Sequence, residues 1–193
     1  MRIAIVDESA SRASIIEEGL GVLPDCEIFT ITQRQGLMAR MAEIGPDVVL
    51  MDLGNPSRDV LEEYFLVSRA LAKPIAIFVD QSDDATIGAS IDAGVSVYVV
   101  DGLAANRIRS IVDLAVRRFN AFARLQAELA EAQGKLAERE TIDRAKRILM
   151  DTRGIAEPEA YAELRRKAMQ SNKRIAQIAE AVVTAHDLIG KSR

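Results

Sequence analysis

Hydrophobic residues recur along this chain with two different periods, and the change of period divides it. Within the first hundred residues, apolar runs fall at 3–6, 27–31, 48–51, 75–79 and 97–100. Four of the five are almost continuously aliphatic or β-branched, the signature of parallel strands covered on both faces. Helical patterns at 10–20, 33–44, 58–71 and 83–93 lie between them, and turns are marked at Gly45-Pro46, Gly54-Asn55-Pro56, Lys73-Pro74 and Gly94. Strict β/α alternation predicts an α/β fold, a doubly wound parallel five-stranded sheet over residues 1–118.

Past Gly102 the period lengthens. Apolar residues at 108, 112, 115, 119, 122, 125, 129, 132 and 136 advance in steps of three and four, with charged residues such as Arg124, Glu128, Glu131 and Lys135 between them. This is a seam of coiled-coil type, predicting one long helix over 104–136. Two readings fit it: packing on the α/β domain, which covers only the first turns, or a homodimer joined through the coiled coil. Three short helical patterns follow Gly134 and make a small bundle over 137–193. The first carries Ile142, Ala145, Ile148 and Leu149 and ends near Gly154. Pro158 opens the second, with Tyr161, Leu164 and Ala168 as its stripe. Ser171 or Asn172 is the expected cap of the third.

Charge sharpens this division. The net charge is −4, yet residues 139–174 hold ten Lys/Arg against six Asp/Glu, a local +4, which leaves −8 for the rest. One end of the chain therefore attracts polyanions that the remainder repels. The single cysteine, Cys26, allows no internal disulfide. Neither a secretory leader nor an apolar run of membrane-spanning length is evident, so a cytoplasmic protein without membrane contact is expected.

Four of the strand-like runs finish on a carboxylate: Asp7, Asp52, Asp80 and Asp101. In an open parallel sheet the strand ends at Asp7 and Asp52 converge at the topological switch point, with Glu8 alongside. Three carboxylates together call for a cation, and Mg²⁺ suits oxygen ligands. This pattern resembles the receiver domains of two-component signalling, a flavodoxin-like fold. Asp7-Glu8 matches that family's metal-binding acidic pair and Asp52 its phospho-accepting aspartate. Pro56 four residues on, Ala93-Gly94 and the aromatic Tyr98 complete the likeness. Two positions depart from it. The switch hydroxyl of the fourth strand is replaced by Val79, and the lysine that ends the fifth is replaced by Asp101. The resemblance then implies a poorly stabilised phosphoryl group and no phosphate-driven movement of Tyr98. Alternatively, Asp80 and Asp101 are solvated strand-end caps without a role.

Catalysis is not expected. A phosphatase of the haloacid dehalogenase type needs a second carboxylate two residues after its nucleophile, where this chain has Gly54. The only histidine, His186, lies near the C-terminus, and no Ser-His-Asp or Cys-His set can be assembled.

The stretch from Glu138 to Met150, with Ile142, Ala145-Lys146 and Ile148-Leu149-Met150, resembles the ANTAR family of RNA-binding antiterminator domains. Ala160-Tyr161 with Leu164-Arg165, and Ser171-Asn172 with Ile175, extend the match, while Arg147 stands where the family usually has glycine. An RNA hairpin loop asks for cations at phosphates and a planar group under an unpaired base. Arg144, Lys146, Arg147, Arg165, Arg166, Lys173 and Arg174 are the candidate cations, against the alternative of a solvated face. Tyr161 is either a base stacker or part of the core stripe.

Receiver, stalk and ANTAR bundle together resemble the AmiR/NasT class of transcription antiterminators, and within it the NasT type. That likeness implies hairpins in leader mRNA of nitrate/nitrite assimilation genes as the target. It also implies control by a nitrate/nitrite-sensing, NasS-like partner. The competing expectation is a conventional response regulator, switched by phosphorylation and acting on another operon's RNA.

Overall fold

The computed structural model describes residues 1–21 and 25–190, so the last three residues of the 137–193 segment lie outside the described residues. The chain separates into two compact units, Met1–Arg124 and Leu125–Arg193. In the first, β1 (Arg2–Asp7), α1 (Ala10–Leu20), β2 (Glu27–Ile31), α2 (Leu37–Ile44), β3 (Val48–Gly54), α3 (Arg58–Leu71), β4 (Ile75–Val79), α4 (Asp84–Asp92) and β5 (Val97–Val100) alternate as the hydrophobic pattern predicts. All strand pairings are parallel and the sheet order is β2-β1-β3-β4-β5. The order reverses between β1 and β3, which puts the switch point between the ends of those two strands.

Residues of alternating parity on the central strands feed two separate cores, which is why those strands read as uninterrupted apolar runs. Ile3, Ile5, Leu50, Ala76 and Phe78 pack against α1 and the start of α5 (Ala105–Arg153). Ala4, Val6, Val49, Met51, Ile75 and Ile77 pack against α2 and α3 through Met41, Leu61, Tyr64 and Phe65. Gly19 permits a close approach of α1 to α5, since a Cβ there would lie 2.4 Å from the Ala105 carbonyl oxygen and 2.7 Å from the Ile108 Cβ. Helix α2 starts later than the sequence pattern indicates. Its N-cap residue, Gly36, is left-handed at φ 73°, a conformation that cannot continue a helix upstream.

The second unit holds the rest of α5 with α6 (Glu157–Ser171) and α7 (Ile175–Gly190). Sequence predicts separate helices on either side of Gly134, whereas α5 runs unbroken for 49 residues. An internal glycine costs a helix only about 1 kcal/mol, too little to break one this long. Pro158 sits in the first turn of α6 as expected. Ser171 and Asn172 do not cap α7. Ser171 ends α6, and Asn172 closes it in the left-handed conformation at φ 51°. The start of α7 is secured differently, by the Arg174 amide donating to Gln177 Oε1 at 3.0 Å. The bundle core is small-sided, with Ala145, Leu149, Ala160, Leu164 and Ala179 buried.

The predicted seam on α5 has two characters. Ile108, Val112 and Ala115 are buried in the first unit's core. From residue 121 to 140 every residue is exposed, including Phe122, Leu125, Leu129 and Leu136.

Candidate functional site

Strand register builds the acidic site. Asp7 and Asp52 are direct partners across the β1–β3 ladder, so their carboxylates emerge at one level. Both are buried, at 3% and 4% exposure. Asp7 Oδ1 accepts from the Ser9 amide at 2.7 Å, while its Oδ2 has no partner. Burial pushes the Asp7 carboxyl above its ordinary range, and the neighbouring charge of Asp52 adds to the shift.

The group that fills this pocket is one the sequence reading did not single out. Arg12, in the first turn of α1, donates from Nε to Asp52 Oδ2 at 2.7 Å and from Nη2 to Asp52 Oδ1 at 2.8 Å. The same Nη2 lies 2.9 Å from Asp80 Oδ1. Asp80 is fixed in turn by Asn55 Nδ2 at 3.2 Å, and Asp52 Oδ1 also accepts from the Gly54 amide at 3.2 Å. One guanidinium thus ties the start of α1 to the ends of β3 and β4. The hydrogen bond to Asp52, above all, drives the Arg12 pKa further up, so this cation is permanent. Asp80 is consequently not an idle strand cap.

This arrangement does not fit Mg²⁺. A divalent ion needs several carboxylate oxygens with free lone pairs, and both oxygens of Asp52 are committed to Arg12. Glu8, expected beside Asp7, is turned to an exposed ion pair with Arg34. Among the described residues no group of three or more His, Cys, Asp or Glu is disposed to hold a metal.

The departed switch positions lie apart from the pocket. Val79 is buried in the α2/α3-side core, and its carbonyl accepts the Asp101 amide at 2.9 Å. Asp101 is exposed, in a left-handed turn at φ 48°, and does not line the acidic pocket. Asp101 therefore adds no charge inside the pocket, because the residue is exposed to solvent. Tyr98 packs partly buried against the same core, its hydroxyl 3.2 Å from Ser82 Oγ, and burial raises its pKa.

In the second unit, α6 turns its buried Ala160, Leu164 and Ala168 to the bundle core. Tyr161, Arg165 and Met169 form the adjoining ridge, and Tyr161 is 43% exposed and Met169 74%. Tyr161 is therefore not a core residue, since the buried stripe begins one residue earlier. The predicted cations divide by what they touch. Arg144 pairs with Asp187 at 2.8 Å, Arg174 with Glu138 at 2.8 Å, and Lys146 with Asp143 at 2.6 Å and Glu157 at 2.7 Å. Arg147 reaches only the carbonyl of Asp143 on its own helix, at 3.4 Å. Among the described residues, Arg165, Arg166 and Lys173 have no ion-pair partner.

Comparison with known proteins agrees with both units. Residues 130–183 match the ANTAR domain, a span that contains all eight residues of the predicted RNA-binding set. The chain is 29% identical over 138 residues to the transcriptional regulatory protein PdtaR of Mycobacterium tuberculosis, covering 72% of this chain and 67% of that protein. It is 32% identical over 88 residues to the nitrate regulatory protein of Klebsiella oxytoca, covering 46% of this chain and 22% of that one. Among solved structures, the signal receiver domain of a modulated diguanylate cyclase from Desulfovibrio desulfuricans superposes with a TM-score of 0.52 at 16% identity, over 62% of this chain and 96% of that one. The receiver domain of RcsB from Salmonella enterica does so at 0.50 and 14% identity, over 62% and 97%. No helix among the described residues is long and apolar enough to cross a membrane. The first unit thus has the fold of signal receiver domains, and the second contains the segment that matches the ANTAR domain.

Proposed function

We propose that this regulator binds paired hairpins in the leader RNA of nitrate/nitrite assimilation genes and so prevents transcription from terminating, under the control of a nitrate/nitrite-sensing partner protein. The observation that carries the reading is the α6 ridge of Tyr161, Arg165 and Met169, beside the unpaired Arg166. A half-exposed aromatic next to cations that no carboxylate neutralises suits an unpaired base on its flanking phosphates. Within the set of Arg144, Lys146, Arg147, Tyr161, Arg165, Arg166, Lys173 and Arg174, the unpaired members carry most of the affinity. Arg144, Lys146 and Arg174 exchange a carboxylate for a phosphate and gain less.

Nitrate or nitrite as the signal is supported by the likeness to the Klebsiella nitrate regulatory protein. Control by a partner rather than by phosphate is supported by Arg12, which occupies both oxygens of Asp52. The exposed Phe122, Leu125, Leu129 and Leu136 on α5 supply the apolar face for a homodimer. That dimer would present two copies of the bundle to two hairpins.

A gel shift with a two-hairpin leader RNA tests the RNA step. Arg165→Ala and Tyr161→Ala should each weaken binding about tenfold, and Lys146→Ala less. Affinity indifferent to all three changes would refute the assignment of this face. For the control step, Asp52→Asn should leave antitermination in cells unchanged, whereas its loss would favour a phosphorylation switch.

A further inference from the structure

Receiver-like pockets gather carboxylates, and the chemistry of such a cluster demands a positive charge. Here that charge comes from the chain itself. Arg12 reaches from the first turn of α1, the end of a helix where the macrodipole disfavours a cation. It is retained there by a bidentate bond to the buried Asp52 and a third contact to Asp80. A guanidinium fork matches a carboxylate edge to edge, and unlike a hydrated metal ion it cannot leave the site by dissociation.

We infer that Arg12 is a tethered counter-cation that takes the place of a divalent metal, so that the pocket of Asp7, Asp52 and Asp80 excludes Mg²⁺ as long as Arg12 is seated. Asp80 is the specificity-determining partner in this arrangement. It shares the Nη2 group of the guanidinium with Asp52 and receives Asn55 on its other oxygen, which adds a second carboxylate to the seat of Arg12. The inference concerns the first unit alone and stands or falls independently of RNA binding.

Manganese, a paramagnetic stand-in for Mg²⁺, gives the test. With the full chain, the electron paramagnetic resonance signal of free Mn²⁺ should be undiminished by wild-type protein, and millimolar Mg²⁺ should leave the melting temperature unchanged. Arg12→Gln removes the charge and keeps a polar side chain. It should bind Mn²⁺ at least about tenfold more tightly than wild type, because a unit positive charge no longer faces the ion at close range, and Mg²⁺ should compete it off. Arg12→Lys keeps a tethered cation and should remain as metal-free as wild type, which separates loss of charge from general loosening of the fold. Mn²⁺ binding by wild-type protein, displaced by Mg²⁺, would overturn the inference. So would an Arg12→Gln protein of native circular dichroism that binds Mn²⁺ no better than wild type. Should Arg12→Gln fail to fold, the wild-type measurement alone still decides, since metal binding with Arg12 present contradicts the exclusion.

Discussion

Truncating Arg12 to alanine exposes how much of the receiver unit depends on one side chain. The Asp52 side chain is fully buried and that of Arg12 is 30% exposed, so the bond is only partly screened by solvent. Arg12→Ala would leave the Asp52 carboxylate with a single donor, the Gly54 amide at 3.2 Å, beside the equally buried Asp7. Removing one member of a buried pair costs roughly 3–5 kcal/mol, and the partial exposure of Arg12 places this case near 3 kcal/mol. For a unit of this size that is a fall of about 12 °C in melting temperature. Asp52→Asn should cost less, about 1–2 kcal/mol, since Arg12 keeps Asp80 and access to water. In the double variant neither buried charge is stranded, so the loss should resemble that of Asp52→Asn alone. The coupling energy is then about 2 kcal/mol or more. Calorimetry of the four proteins measures it, and hydrogen exchange at β1 and β3 amides confirms that the first unit is the one affected. Strict additivity of the two single losses would refute the bridge as the element that stabilises this strand end.

Three other outcomes follow from the same structure. Burial raises the Asp7 pKa above its ordinary value of 3.8, so the folded chain keeps that proton to higher pH than the unfolded chain does. Stability is therefore lost as pH rises from that value through the raised one, and Asp7→Asn should gain about 1 kcal/mol at neutral pH and flatten the pH dependence of melting. A melting temperature lowered by Asp7→Asn would contradict the orphaned Oδ2. Gly19→Ala should destabilise the first unit by about 1–3 kcal/mol in urea titration, because the added methyl meets the Ala105 carbonyl and Ile108. If α5 forms the proposed homodimer, Leu125→Asp with Leu129→Asp should leave only monomer in sedimentation with circular dichroism unchanged, as both side chains are exposed in the single chain.

The regular elements of the first unit were legible because each strand carries its own proof. A run such as 75–79 has no polar face, so only a position between two helical layers can bury it, and all five residues of β4 are buried. Amphipathic phase is a weaker guide where two stripes lie side by side. On α6 the spacing of Tyr161, Leu164 and Ala168 reads as one apolar face, yet Ala160, Leu164 and Ala168 form the buried row and Tyr161 stands one residue off it. Alanine contributes little to a hydrophobic pattern but permits the closest helix packing, so the true row was hidden behind its smallest member. Gly134 misled in the opposite sense. A glycine is a conspicuous letter and a modest energetic term, and α5 absorbs it.

The acidic strand ends show most sharply where residue types alone stop short. Counting carboxylates correctly indicates that the site needs a cation, but type and order cannot say whether that cation is imported or built in. The clue was local: a first helical turn without any acidic residue and with an arginine, against the helix dipole, five positions after Asp7. A cation in so unfavourable a place must be held by something stronger than the helix, and the nearest strong acceptors are the strand-end carboxylates. Which carboxylates depends on register. Asp52 lies level with Asp7 because β1 and β3 pair residue for residue, and Asp80 comes within reach because β3 is irregular between Asp52 and Gly54 and pairs Gly54 with Val79. Asp101, chemically identical and one strand further out, ends in solvent. Four look-alike acids thus resolve into a partnered pair, a buried neighbour and a surface turn, and the residue that separates them is Arg12.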